Sequence, residues 1–400
     1  MTAGPGPDPD LFPHRFDEEM SMTTILKPLA AAALAAFASL PALADINVGV
    51  IASLTGPAAA LGAETKKAVA MLPATVGGEK VNFILLDDGT DPTQGVKNAR
   101  KLISEDKVDA IFGINIIGVS VAVADVANAE KTPMVSVAPL DVTGDKRTFV
   151  FRSEPSADIM VNRVVADMVA GGAKSVGFIG FSDSWGDLLL KALTAATQGK
   201  MKIVATERYG RADPSVQAQV LKVMSTKPDV VFVGASGTPA AMPQITLRER
   251  GYKGKIYQSH GVTSKEFLRV GGKAVEGALI PVGPVLVAEQ LPDSHPTKKN
   301  AVAFVKDLEA KNGPDSRSTF AGATWDAWLL VQNGLLAAQK TKAKPGTPEF
   351  RAAVRDGIEK TSKLVGTNGV YTMGAADHAG YDPSAVVLIK VENNTWKLVQ

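Results

Sequence analysis

Between Ile46 and Gln258 the chain alternates eight short Val/Ile-rich runs with seven longer amphipathic segments. No other feature constrains the fold as strongly. Parallel strands need crossovers long enough for a helix, and strands covered on both faces read as continuous apolar runs. The strand-like runs are Ile46–Ile51, Val81–Leu86, Ala110–Phe112, Met134–Val137, Ser175–Ile179, Ile203–Glu207, Val230–Val233 and Lys255–Gln258. Helical periods lie near Ala58–Leu72, Thr93–Ser104, Val119–Glu130, Ala157–Val169, Gly186–Thr197, Ser215–Met224 and Ala240–Glu249, with Asp91-Pro92 and Asp213-Pro214-Ser215 as helix starts. The expected class is α/β, with two Rossmann-like lobes of parallel sheet.

The period breaks at Phe149–Ser156 and again over the Pro-rich stretch Ile280–Pro296, which reads as a linker returning to the first block. Helices Thr297–Lys311 and Thr319–Gln339 follow, and Val386–Val399 reads as a hairpin turning at Asn393-Asn394. Residues 45–160 with 284–365 then form an N-terminal lobe, and 161–283 with 366–400 a C-terminal lobe, joined by a multi-strand hinge. A cleft is expected where the carboxyl ends of the two sets of strands face each other.

The head of the chain reads as a secretory signal over 22–44. Lys27 is its basic region, Leu29–Leu40 its apolar run, and Ala42-Leu43-Ala44 a small-x-small cleavage site. Residues 1–21, rich in Pro, Gly and acid, read as a disordered or spurious extension. Export to a periplasm is expected, with no stable membrane insertion after cleavage. Residues 1–44 carry two basic and five acidic side chains, so the remainder holds 41 basic against 36 acidic, net +5. The basic residues are dispersed, which argues against nucleic acid as a partner. There is no cysteine to form a disulfide or carry a lipid, so a freely diffusing monomer is expected.

Catalytic signatures are missing. Gly180-Phe-Ser-Asp-Ser184 lacks the closing glycine of a nucleophile elbow, and no phosphate-cradling glycine loop follows a strand. His260, His295 and His378 are too scattered for a metal site, and neither enzyme chemistry nor a cofactor is expected. The loop Ser53-Leu-Thr55-Gly-Pro57 before the first helix reads either as an anion-binding helix start or as a plain cap. Asp87-Asp88 reads as capping and lobe packing. Trp185, just past the fifth strand, is either a core residue or an aromatic wall of the cleft. Trp325 and Trp328 read as core. His260, between Ser259 and Gly261 at a strand's carboxyl end, is placed to reach the cleft.

Several segments together resemble the periplasmic substrate-binding proteins of the branched-chain amino acid type, the type I fold of ABC uptake systems, from about Asp45 to Gln400. They are Val48–Pro57, Leu86–Pro92, Lys227–Gly234 and Gly251–Ile256. The resemblance implies a receptor that delivers a small molecule to permease subunits. Amino-acid-binding members hold their ligand with hydroxyls from two N-lobe loops and an acid from the C-lobe. Those positions fall here on Ile117, near Leu140 and on His260. An ammonium facing His260 without a carboxylate is left unpaired at a cost on the order of several kcal/mol, whereas a ligand carboxylate gains a donor.

Phe267–Lys273 and Val287–Pro296 look like the branch that binds aromatic acids such as benzoates and hydroxycinnamates. The expected carboxylate anchors are Ser53 and Thr55, backbone N–H groups around Asn115, Ile116, Ile117 and Gly118, or His260 as a cationic or N–H donor. Trp185, Leu61, Ile117, Pro139 and Leu140 should wall the ring, with Ser236, Gly237 and Gly261 approaching through small side chains and backbone. A neutral amino acid receptor, a ligand sensor on the same fold and an exported hydrolase are the rival readings.

Overall fold

The computed structural model describes residues 45–142, 147–382 and 385–399. The signal and extension expected over 1–44 lie outside them. The first sheet is built from β1 (Ile46–Ala52), β2 (Thr75–Val76), β3 (Glu79–Asp87), β4 (Ala110–Phe112), β5 (Met134–Ser136) and β6 (Val150–Arg152), in the order β2-β3-β1-β4-β5-β6. Every pairing but β2–β3 is parallel. Its connecting helices are α1 (Ala59–Val69), α2 (Pro92–Ser104) and α3 (Ile117–Ala129). β1 is buried along almost its whole length, as a central strand covered on both faces must be.

α4 (Ala157–Ala170) leads into the second lobe. There β7 (Ser175–Phe181), β8 (Lys202–Tyr209), β9 (Val230–Gly234), β10 (Lys255–Gln258) and β11 (Leu279–Val282) alternate with α5 (Ser184–Thr197), α6 (Gln217–Ser225), α7 (Ala241–Glu249) and α8 (Lys265–Gly271). The chain returns through α9 (Lys298–Asn312), α10 (Thr319–Ala338) and α11 (Pro348–Glu359) to the small ladder β12 (Leu364–Val365) and β13 (Val370–Tyr371). Finally β14 (Val387–Glu392) and β15 (Thr395–Leu398) join the second sheet, whose order is β15-β14-β11-β10-β9-β7-β8. The expected hairpin turn is at Asn393-Asn394, both with positive φ. None of the helices among the described residues is long and apolar enough to cross a membrane.

Three readings of the sequence need correction. Asp213 does not start a helix: its carboxylate accepts from Gly210 N–H at 2.7 Å and closes a turn, and α6 begins at Gln217. The stretch from Ile280 is not only a linker, because Leu279–Val282 pairs antiparallel with β14 and a 3-10 run Pro284–Gln290 follows. Helix α11 was not anticipated, although Thr347 caps it, Pro348 occupies its first turn and Phe350, Val354 and Ile358 form its buried stripe.

The chain crosses between lobes three times, after β6, after β11 and after β13, and the crossings meet around Asp326 of α10. The Asp326 carboxylate accepts N–H bonds from Thr367 at 2.6 Å and Asn368 at 2.9 Å. Tyr371 Oη lies 2.9 Å from both Asp326 Oδ2 and Ser153 O, tying the third crossing to the first. Asn368 abuts Gly283 of the second crossing, where a Cβ would strike its amide oxygen. Tyr371→Phe leaves a buried acceptor unpaired, so it should lower unfolding free energy by about 1–3 kcal/mol, measured by urea denaturation. A loss within error would show that Tyr371 Oη does not tie the crossings together.

Candidate functional site

Each loop that faces the cleft leaves the carboxyl end of a strand. After β4 come Asn115, Ile116 and Ile117; after β5, Pro139; after β7, Trp185; after β8, Arg211; after β9, Ser236; after β10, His260 and Gly261. With Leu61 of α1 and Phe320 of α10, these eleven residues enclose a cavity of about 20 Å³ between the lobes. That space holds about one water molecule. The lobes touch beside it, since a Cβ on Gly237 would lie 3.1 Å from Leu61 Cδ1. Gly237 has φ +63°, a backbone conformation that glycine adopts without strain.

Asp183 organises the second-lobe wall. Its Oδ1 caps α5 by accepting from Trp185 N–H at 3.0 Å and Gly186 N–H at 3.2 Å. Its Oδ2 takes Arg211 Nε at 2.5 Å. Arg211 lies 4.3 Å over the Phe181 ring and donates from Nη1 to Ser236 Oγ at 3.0 Å. Trp185, 4 % exposed, donates from Nε1 to Ala235 O at 3.3 Å, so it is both packed and part of the cleft wall. Gly261 is dictated by contact, because a Cβ there would collide with Ser236.

The first-lobe wall is apolar except for Asn115, whose Nδ2 reaches Thr65 Oγ1 at 3.4 Å and whose Oδ1 has no hydrogen-bond partner. Helix α3 begins at Ile117 with no side-chain cap, which leaves the positive end of its dipole at the cleft.

His260 is 3 % exposed, and its ring stands edge-on to Trp185 at 5.2 Å and tilted against Phe320 at 5.9 Å. Its Nε2 is 3.5 Å from Oε1 of Glu154, itself 1 % exposed. Burial pushes the imidazole down to about 3, so the ring is neutral at pH 7, and of the two donor forms expected from the sequence, cationic or N–H, only the N–H is available. Burial, then the charge of Asp326, pushes the Glu154 carboxyl well above the usual carboxylate range against the pull of Arg152.

Four expected site residues do not line the cavity. Ser53 Oγ donates to Asp88 Oδ1 at 2.6 Å and Thr55 Oγ1 to Asp87 Oδ2 at 2.6 Å. Those hydroxyls are spent on carboxylates, which makes them poor anchors for another anion. Leu140 turns into the core, its carbonyl taken by Arg152, and Gly237 packs against Leu61. Leu61, Asn115, Ile116, Ile117, Pro139, Trp185, Ser236, His260 and Gly261 do line it. Arg211, Phe320 and the supporting Glu154 were not anticipated. Arg211 follows a strand and was open to the same strand-end rule. Phe320 reaches the cleft only because α10 returns through the hinge. No group of residues among those described could hold a metal ion.

The periplasmic binding protein family matches residues 45–395. The chain belongs to that family. Its members are binding proteins rather than enzymes. An extracellular ligand-binding receptor from Rhodopseudomonas palustris HaA2 is similar at 44% identity and a TM-score of 0.84, covering 89% of this chain and 100% of that one. The Leu/Ile/Val-binding protein homolog 3 of Brucella melitensis biotype 1 is 30% identical over 79% of this chain and 85% of its own length. A solute binding protein of an R. palustris ABC transporter, solved with benzoate, is similar in fold alone, at 21% identity and a TM-score of 0.75 over 89% of this chain and 95% of that one. The protein is thus a periplasmic ligand-binding receptor of the type I fold.

The buried imidazole fixes a direction of pH dependence. Below pH 6.5 the unfolded chain binds a proton at residue 260 that the folded chain refuses until about pH 3. Stability should therefore fall on acidification, by up to about 1.4 kcal/mol per pH unit from this group. In urea unfolding at pH 7, 6 and 5, His260→Gln should lose less stability than the parent protein. Equal losses would show that His260 protonates without resistance in the folded state.

Proposed function

We propose that this receptor closes around a small aromatic carboxylate and presents it to the permease subunits of an ABC uptake system. The observation that carries the reading is the charge of the cleft lining: one cation, Arg211, and no carboxylate. Arg211 is preset by Asp183 and Ser236, so a ligand carboxylate meets an oriented guanidinium and the uncapped start of α3. Leu61, Ile116, Ile117, Trp185 and Phe320 supply flat and apolar surface for a ring. An α-ammonium has no carboxylate partner in the lining, and burial raises the carboxyl of Glu154, behind His260, well above the usual carboxylate range, which disfavours its ionised form. The Brucella relative's name keeps a branched-chain amino acid as the second reading.

The same reading makes 22–44 a cleaved export signal and 45–160 with 284–365 one lobe, closing on 161–283 with 366–400 as a monomer. Entry of a ring requires the lobes to part, because the enclosed 20 Å³ is far below the volume of benzoate.

In thermal denaturation, benzoate or 4-hydroxycinnamate at a hundredfold excess over Kd should stabilise the protein by about 2.7 kcal/mol, and leucine, isoleucine and valine should not. Arg211→Ala should weaken binding of the acid roughly tenfold or more, with Arg211→Lys in between. The acid should be recovered unchanged after incubation. Stabilisation by leucine with none by aromatic acids would overturn this reading, and conversion of the acid would make the protein an enzyme.

A further inference from the structure

The cleft's second polar feature is a pair of buried side chains with atoms to spare. His260 lines the cleft, yet its Nδ1 is buried without a hydrogen-bond partner. Glu154 stands behind it with Oε1 at 3.5 Å from Nε2, and its Oε2 also has no partner. An orphaned buried polar atom is unfavourable, so an unpartnered His260 Nδ1 on a side chain that lines the cleft points to a ligand group. The groups around the imidazole select what that group can be. Trp185 and Phe320 flank the ring, and Glu154 is the one titratable side chain placed against it among the described residues.

We propose that His260, held in one tautomer by Glu154, donates from Nδ1 to the oxygen of a ring hydroxyl, so that the receptor selects hydroxylated aromatic acids over their unsubstituted parents. This deepens the aromatic-carboxylate reading and rests on it: Arg211 takes the carboxylate and leaves His260 for a second substituent. A protonated Glu154 donates its O–H to Nε2 once the pair closes by a few tenths of an ångström. The ring proton then sits on Nδ1, which donates to the hydroxyl oxygen. A second carboxylate gains no cation here, and an ammonium would have to strip a proton from a carboxyl buried near Asp326. An uncharged hydroxyl needs neither. Glu154 touches no ligand in this scheme and is a positioning residue.

The test compares dissociation constants of 4-hydroxybenzoate with benzoate, and of 4-hydroxycinnamate with cinnamate, by calorimetry on the mature protein. The parent should bind each hydroxylated acid about tenfold more tightly than its partner. Glu154→Gln keeps an N–H donor toward Nε2 and should preserve most of that ratio. Glu154→Leu should bring the ratio close to one, as should His260→Phe. A parent ratio near one overturns the inference even if both acids bind and the wider reading stands. Failure of every aromatic acid to bind removes both together. A ratio unchanged in Glu154→Leu overturns the positioning role. Should Glu154→Leu not fold, the parent ratio and the His260→Phe ratio decide.

Discussion

The molecule depends on one buried carboxylate. Asp326 has no counter-charge in contact; it is held by two backbone N–H groups and a tyrosine hydroxyl from the segment that follows β12. Burial still raises it to about 6, which measures how far it has been taken from water. The local sequence obeys this demand. Gly366 has no room for a Cβ against the Asp326 carboxylate, and Thr367 and Asn368 present consecutive N–H groups as a turn does. Tyr371 Oη shares its one proton between Asp326 and Ser153 O, and Asn368 packs against Gly283, so the three crossings meet at a single acid. A hinge so tied can bend where each crossing leaves its sheet, but the crossings cannot drift apart.

That junction also explains the polarity of the cleft. Glu154 leaves β6 through the same crossing and lies near enough to Asp326 for that charge to add to burial in raising its carboxyl. Its ionised form is therefore disfavoured, and it backs His260 as a poor source of the anion that an ammonium needs. On the other wall the two oxygens of Asp183 are engaged by the α5 N-terminus and Arg211. Of the acids near the cleft, one is held back from ionising by burial and the other is paired, while the guanidinium keeps donor capacity.

The alternation of Val/Ile runs with amphipathic segments made the parallel sheets legible, because covered strands and crossover helices have unmistakable periods. Nine of the residues that line the cleft were also readable, since each follows a strand or faces one that does. The errors have physical causes. Ser53 and Thr55 have the chemistry of anion ligands, but Asp88 and Asp87, a whole β3 strand away in sequence, take their protons. A sequence shows which groups can bond and not which partner reaches them first. Arg211 sits in a four-residue turn closed by Asp213, where no period directs attention. Glu154 is a charged residue in a break, normally solvent-facing, and only the convergence of three crossings buries it.

Closure itself follows from how the two walls differ. The first lobe offers Leu61, Ile116 and Ile117, which gain by leaving water, and a helix end that attracts an anion. The second offers Trp185 and Arg211, whose polar atoms are already oriented by Ala235 and Asp183, and His260, with Glu154 3.5 Å behind it. Either wall alone could contact only part of a bound ligand. A ligand that bridges them adds apolar contact to one and a charge-assisted bond to the other, so its affinity for the closed arrangement exceeds its affinity for either lobe. That differential is what shifts the population toward closure. The close approach of Leu61 to Gly237 shows how little separates the walls when they meet. A side chain at 237 would hold them apart, and the bond between ligand and first lobe would be the one lost.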